Sequence, residues 1–146
     1  MPRILGGDIR CPIARSLDVL GDRWTLMIVR DAMAGKTRFS EFRESLGIPR
    51  DVLTARLETL VDGGALERRS YRADGSRARE EYVLTTAGRE LIVVLGALGQ
   101  WADRNRPAPE RSLISFVDDA GDPVGVRLAT AGGRVLTPDE VVVRVG

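Results

Sequence analysis

The chain has 146 residues, of which 43% are hydrophobic, and a formal net charge of +1, which suits one folded domain with an appendage rather than a two-domain enzyme. It has no histidine and one cysteine, Cys11, which excludes the common zinc sites, Ser-His-Asp or Cys-His catalysis and an intrachain disulfide. No apolar run approaches the roughly 20 residues that span a bilayer, and residues 1–8 lack the apolar region of a signal peptide, so we expect a cytoplasmic protein without metal or cofactor.

Positive charge is concentrated in the first part of the chain. Residues 1–106 carry 18 Arg and Lys against 15 Asp and Glu, whereas residues 107–146 carry 4 against 6. Arginine supplies all the basic residues except Lys36, and its planar guanidinium suits phosphate and guanine. Residues 1–106 are therefore the better candidate for contact with a polyanion.

The first two predicted elements are helices. Apolar residues recur at helical spacing between Pro12 and Leu20, and Gly21 follows as a stop. Asp22 can cap a second helix over about residues 23–34, which is apolar on most sides and is therefore expected to be central.

The next two helices form a predicted helix-turn-helix. Phe39, Phe42 and Leu46 mark a third helix that ends at Gly47. Pro49 is favoured in the first turn of a helix and opens the fourth, which ends at Gly63-Gly64. Its buried stripe is expected to be Leu53, Leu57 and Leu60.

A β-hairpin follows, because side chains alternate with a period of two in the segment after Ala65 and again in the return segment that ends at Leu84. Asp74-Gly75, a strong hairpin-turn dipeptide, lies between the two runs. A hairpin directly after a helix-turn-helix is a wing. Its tip is rich in arginine, with Arg72, Arg77 and Arg79.

A long helix is predicted to begin at Thr86 and to end near Pro107. Its apolar stripe is broader than one small domain needs to bury, so we expect it to form a dimer interface together with the first helix. The expected interface residues are Ile13, Leu17, Leu91, Val94, Leu95, Leu98 and Trp101. The alternative is that the C-terminal tail covers this stripe within one chain.

The predicted fold class is mainly α with a small β component: a winged helix-turn-helix domain over residues 1–106, including the long dimerisation helix, and a strand-rich extension over residues 107–146. Three β-type runs separated by Asp, Gly and Pro support the extension. They are Leu113–Val117, Val124–Leu128 and Val141–Val145. Residues 137–140 also fit a helix start.

Several short segments match a known family in order and spacing. They are Cys11-Pro12, residues 21–25, residues 38–42, residues 53–57, residues 63–66 leading into Arg68, and residues 81–88. Over roughly residues 9–105 the chain resembles the HxlR-type winged-helix regulators. The resemblance implies a dimer whose terminal helices pair, with one recognition helix and one wing on each half-site. Pro49 replaces a usual capping serine, and residues 75–81 replace a proline-containing turn.

Candidate DNA-binding residues lie on the fourth helix, around the third helix and on the wing. The first turn of a recognition helix usually reaches base edges, where arginine can bind guanine and aspartate can accept from cytosine. For Arg56 a phosphate contact and an internal salt bridge are both open. The predicted set is Arg38, Arg50, Asp51, Thr54, Arg56, Arg72, Arg77 and Arg79.

These residues predict a sequence-specific transcriptional regulator that binds double-stranded DNA as a homodimer on an inverted repeat. The alternative is a winged-helix module that binds only proteins. Two triggers are open, a small apolar ligand or oxidation of Cys11. Cys11 lies between Arg10 and Arg15, at a position where several members of the family that the chain resembles carry a sensing cysteine. No enzyme is expected, because the adjacent acidic pairs Glu80-Glu81 and Asp118-Asp119 would point to opposite faces if extended.

Overall fold

The computed structural model describes residues 9–72, 75 and 77–144. The chain forms two compact units, one up to Ile92 and one from Val93 onward. The sequence predicts a domain boundary after residue 106, which assigns the long helix to the first domain. That domain division remains a prediction. Residues 1–8, Asp74 of the predicted turn and Val145 of the last predicted run lie outside the described residues.

Four helices open the first unit, as the sequence predicted. They are α1 (Pro12–Leu20), α2 (Arg23–Met33), α3 (Phe39–Leu46) and α4 (Arg50–Asp62). Asp22 caps α2, with its carboxylate accepting a hydrogen bond from the Trp24 backbone N–H at 2.8 Å. Pro49 has an extended backbone (φ −58°, ψ 144°), so it precedes α4 rather than lying in its first turn.

The core of the first unit is built around α2, which packs against α1, α3, α4 and the second strand of the wing. Ile28 and Val29 of α2 are fully buried, as is Phe42 of α3. On α4 the predicted stripe is confirmed, since Leu53, Leu57 and Leu60 are fully buried. This stripe fixes which side of α4 faces solvent.

The wing consists of β1 (Leu66–Tyr71) and β2 (Arg79–Leu84), which pair antiparallel with Leu66 opposite Leu84. Its second strand is fixed to the segment that precedes α3, because the Tyr82 backbone N–H donates to the Thr37 carbonyl at 2.7 Å. Past the wing, Gly88 lies so close to the Ala65 carbonyl that a Cβ would approach the oxygen within 2.0 Å. Only glycine fits there.

The prediction of one long helix from Thr86 is wrong. The segment forms α5 (Thr86–Glu90) and α6 (Ile92–Asn105), separated at Leu91. The Leu91 N–H bonds to the carbonyl three residues back, at Gly88, which tightens the last turn and ends α5. Both helices continue the same apolar spacing, so the sequence pattern did not reveal the break.

The predicted strand positions in the tail are also wrong, although small antiparallel sheets are present as the fold class required. The strands are β3 (Leu128–Ala129) and β4 (Val135–Leu136), followed by a 3-10 turn over Pro138–Glu140. In the run 113–117 only Val117 forms a bridge, with Pro123, because the Asp118 side chain accepts from the Ala120 and Asp122 backbone N–H groups and closes a tight turn. Most of the tail is irregular.

The tail packs on one side of α6. The Gln100 side-chain amide donates to the Val126 carbonyl at 3.0 Å and accepts from the Val126 N–H. A Cβ at Gly96 would lie 2.9 Å from the Val126 side chain. On the opposite side of α6, Val94, Leu98 and Trp101 stay 39%, 49% and 58% exposed. The tail therefore does not cover the predicted stripe.

Replacing Gln100 with alanine is expected to loosen this attachment. The variant loses two hydrogen bonds to Val126, and a bond of this kind contributes about 0.5–1.5 kcal/mol. Hydrogen exchange of the Val126 amide should then become roughly 5- to 150-fold faster, because two such bonds together contribute about 1–3 kcal/mol. Arg104→Ala, an exposed change on the same helix, is the control and should leave that rate unchanged. Equal rates in all three proteins would show that Gln100 does not hold the tail.

Among the described residues, no helix is long and apolar enough to cross a membrane. No group of three or more Cys, Asp or Glu side chains among them could hold a metal ion.

Candidate nucleic-acid interface

The solvent side of α4 carries the predicted reading residues. Arg50, Asp51 and Thr54 are all exposed in the first turns of this helix. The Thr54 hydroxyl donates to the Arg50 carbonyl at 3.0 Å, which leaves its oxygen lone pairs and its methyl group available to a ligand. The structure therefore brings these three residues together on one exposed surface.

The start of α3 is held in place by Glu41. Its carboxylate accepts hydrogen bonds from the Thr37 and Arg38 backbone N–H groups at 2.8 and 2.9 Å. These two bonds, and then the charges of Arg38 and Lys36, hold the pKa of Glu41 below its ordinary value despite partial desolvation. The backbone around Arg38 is thus fixed before any ligand arrives.

Two arginines lie over aromatic rings, and the two pairs are joined through consecutive residues of the chain. The Arg38 guanidinium lies over the Tyr71 ring of β1, 4.7 Å from its centroid, and that of Arg50 lies over the Phe39 ring at 5.1 Å. Arg38 and Phe39 are neighbours in the chain, so this arginine–aromatic row (Tyr71, Arg38, Phe39, Arg50) links the tip-side end of β1 to the start of α4. Sequence reasoning missed Phe39 and Tyr71, because no local pattern indicates pairing with distant arginines.

The wing carries its charges in two groups. In its body, Arg69 pairs with Glu67 at 2.8 Å, and Arg68 approaches Glu80 at 4.0 Å. Toward its end, Arg72, Arg77 and Arg79 are exposed, with Arg79 opposite Tyr71 in the strand register. These three arginines therefore lie level with Tyr71 or beyond it, toward the tip.

Of the two contacts that the sequence left open for Arg56, the internal salt bridge is present in the structure. Its guanidinium lies 3.0 Å from the Asp22 carboxylate, with the two side chains 32% and 37% exposed. The bridge ties the middle of α4 to the residue that caps α2. The Arg56 Nε atom is buried and has no hydrogen-bond partner among the residues that the structure describes. A phosphate contact by Arg56 stays a prediction and would require the pair to open.

The same bridge changes the titration of Asp22. Partial burial raises its pKa, but hydrogen bonds from Arg56 and from the Trp24 backbone, with the charges of Arg56 and Arg23, outweigh burial. The net pKa lies below the ordinary 3.8. Because the folded pKa is depressed, the stabilisation is fully present above the unfolded pKa and is lost as the pH falls through the folded value.

Asp22→Asn is therefore expected to destabilise the protein at pH 7 but not in strong acid. Asparagine keeps the helix cap and removes the charge, so the expected loss at pH 7 is about 0.5–1 kcal/mol for a pair this exposed. Urea unfolding from pH 7 down to pH 2 should show the difference begin to shrink near the unfolded pKa of about 4 and disappear only below the depressed folded pKa. In an Arg56→Gln background the substitution should have little effect at any pH. A constant difference at all pH values would contradict the charge explanation.

Comparison with known proteins adds to this geometry. Residues 19–110 match the model of the HxlR-like helix-turn-helix family. The chain belongs to this family. It is also 40% identical over 120 residues to the HTH-type transcriptional regulator Rv3095 of Mycobacterium tuberculosis, a match that covers 82% of the chain and 68% of that relative.

Similar solved structures differ in how much of this chain they cover. PA1607, described as a candidate transcription factor, is 39% identical with a TM-score of 0.78, covering 94% of this chain and 96% of its own. The redox regulator HypR in its reduced form is 32% identical with a TM-score of 0.59, covering 66% of this chain and 94% of its own. The predicted HxlR-type winged helix is confirmed, and most of the tail has a counterpart in PA1607.

Cys11 and the predicted dimer residues are largely accessible in this HxlR-like chain. Cys11 is exposed and caps α1, with its sulfur accepting from the Ala14 N–H at 3.4 Å. On α1, Ile13 and Leu17 are 69% and 39% exposed. Leu91 and Leu95 are half-buried, so the exposed part of the second stripe is Val94, Leu98 and Trp101.

Proposed function

We propose that this HxlR-like protein is a homodimeric transcriptional regulator that binds an inverted repeat in double-stranded DNA. The arginine–aromatic row carries the proposal, because it joins the tip-side end of β1 to the first turn of α4 through two consecutive residues. Such a connection favours one duplex contacted by the helix and the wing together. The protein acts in the cytoplasm by binding and has no catalytic role in this proposal.

Exposed apolar residues on two helices support the dimer. Val94, Leu98 and Trp101 form one stripe on α6, and Ile13 and Leu17 are exposed on α1. Isolated exposed apolar side chains are common, but a stripe of three at helical spacing is typical of an interaction surface. The tail occupies the other side of α6, which leaves this stripe for a second copy.

The proposal is tested by selecting duplexes from random DNA and then measuring affinity against salt. The enriched sequence is expected to be an inverted repeat whose half-sites are separated by about one helical turn of DNA or a multiple of it. If a dimer neutralises about six phosphates, log affinity should fall with log salt at a slope of about −5. Arg38→Ala should make the slope shallower, and Arg111→Ala in the tail should not change it.

The competing function is a winged-helix module that binds only proteins. It predicts that no sequence is enriched in the selection and that duplex binding is weak and nearly independent of salt. A steep slope together with an enriched repeat would exclude it. A shallow slope would overturn the regulatory proposal.

The trigger in this proposal is oxidation of Cys11, whose sulfur is exposed at the start of α1. HypR is itself described as a redox regulator. Diamide takes two hydrogen atoms from two thiols and leaves a disulfide, so this chain would join a second copy or an external thiol. Diamide should release the wild-type protein from DNA and leave Cys11→Ser bound. Equal release of both proteins would remove Cys11 as the sensor and favour a small apolar ligand.

A further inference from the structure

We propose that Arg43 and Arg50 form a phosphate clamp across the cleft between α3 and α4, with Phe39 as the platform that positions Arg50. The ligand is one phosphodiester group of the DNA backbone. The inference rests on the proposed DNA-binding function and assigns Arg50 a role different from the base reading that the sequence predicted.

The cleft lies where the two helices of the helix-turn-helix meet. It has a volume of about 320 Å³ and is lined by Phe39, Ser40, Arg43, Glu44 and Arg50. The α3 side supplies four of these residues within two helical turns, and α4 supplies Arg50 from its first turn. The turn between them contains Gly47 in the left-handed conformation (φ 62°) and the buried Ile48, which together fix the approach of the helices.

The charges lining the cleft suit a monoanion. Arg43 and Arg50 are exposed, and in the part of the chain that the structure describes neither forms an ion pair. Ser40 adds a hydroxyl donor. Glu44 is the one acidic residue in the lining, so two positive charges and one negative charge leave a net charge of +1 opposite a single phosphodiester charge.

Stacking explains why Arg50 is suited to this task. A guanidinium that lies over a ring keeps its N–H donors in its own plane, so they remain available to phosphate oxygens while the face is held by the ring. The stack also restricts a flexible side chain before binding, which lowers the entropy lost when the contact forms. Phe39 is thus a positioning residue that acts through Arg50.

The same contact draws Arg50 away from base edges. Its guanidinium lies against Phe39 of α3, 5.1 Å from the ring centroid. An arginine that reads guanine must instead extend into the major groove. Base reading on the first turns of α4 is then left to Asp51 and Thr54, which are exposed and have no such restraint in the described structure.

The experiment measures affinity for the selected operator and for a random duplex over a range of salt concentrations. Arg43→Ala and Arg50→Ala should each make the slope of log affinity against log salt shallower by about 0.9 per arginine in each bound copy. Both duplexes should lose affinity by the same factor, so their affinity ratio stays unchanged. Arg50→Lys should retain the slope, and Glu44→Gln should strengthen binding to both duplexes.

Phe39 is tested through its dependence on Arg50. Phe39→Leu should weaken binding several-fold in the wild-type background but have no effect in the Arg50→Ala background, and Phe39→Trp should restore affinity by supplying a ring. A merely structural role would weaken both backgrounds equally, which would overturn the platform assignment. Thermal unfolding of each variant checks that it is folded.

The remaining outcomes separate the clamp from the function on which it rests. Loss of operator affinity in Arg50→Ala without loss of random-duplex affinity would make Arg50 a base reader and overturn the clamp, while DNA binding would stand. Wild-type protein that binds no duplex in a salt-dependent manner would overturn the proposed function and the clamp together.

Discussion

Leu57→Ala is expected to lower the free energy of unfolding by about 2–5 kcal/mol. Leu57 is fully buried between its neighbours Leu53 and Leu60 in the stripe by which α4 packs on the core. Truncation removes buried methyl groups and leaves a cavity that close-packed surroundings fill only partly. Urea unfolding followed by circular dichroism measures this loss of stability. Operator affinity should also fall under conditions in which a fraction of the variant molecules is unfolded.

The matched control is the next residue, Glu58→Ala. Glu58 is exposed on the outward side of α4, so its removal should change stability by less than about 0.5 kcal/mol. Because a carboxylate facing DNA repels phosphate, this variant should bind duplexes more tightly. A Leu57→Ala protein as stable as the control would mean that the stripe does not anchor α4.

Leu98→Asp is expected to convert the proposed dimer to a monomer. Leu98 lies in the middle of the exposed α6 stripe, between Val94 and Trp101, and a carboxylate in an apolar interface loses its hydration without gaining a partner. Sedimentation at micromolar concentration should show half the wild-type mass. Operator affinity should fall about 100-fold or more, because a monomer loses the gain from holding two half-sites at once.

Leu113→Asp makes the same chemical change at a tail residue that is fully exposed. It should change neither the mass nor the operator affinity. A wild-type protein that sediments as a monomer, or a Leu98→Asp protein that remains a dimer, would remove the α6 stripe from the interface.

The elements of the first unit follow closely from sequence. The buried stripe on α4 and the cap at Asp22 were predictable because each depends on residues a few positions apart. Gly47 ends α3 for the same local reason, since its left-handed backbone favours glycine. The pairing of β1 with β2 could be predicted from their alternating pattern and the short connection between them.

The errors arise where single hydrogen bonds decide the path of the backbone. The tail is attached to α6 through Gln100, which bonds to Val126 far along the chain, and its tight turn is closed by the Asp118 side chain. No hydrophobic period encodes such bonds. The break at Leu91 likewise follows one backbone bond, from the Leu91 N–H to the Gly88 carbonyl.

The candidate interface could likewise be predicted only in part. Its charged residues could be predicted, because exposed arginines on a helix start and a hairpin tip follow from local pattern. Their arrangement could not, since Arg38 meets Tyr71 and Arg50 meets Phe39 only in the folded chain. Arg56 shows the limit most clearly, because composition alone does not choose between Asp22 and a phosphate.

The two fixed points on the wing leave the length of its tip free to change. Tyr71 of β1 is held through Arg38, and Tyr82 of β2 through the Thr37 carbonyl, so residues added after Tyr71 and before Arg79 need not move these anchors. Two extra residues per strand would lengthen the ribbon by about 7 Å and keep every side chain on its own face. In the proposed complex, a ribbon that lies along the duplex would then extend each subunit's footprint by about two base pairs, since base pairs are about 3.4 Å apart.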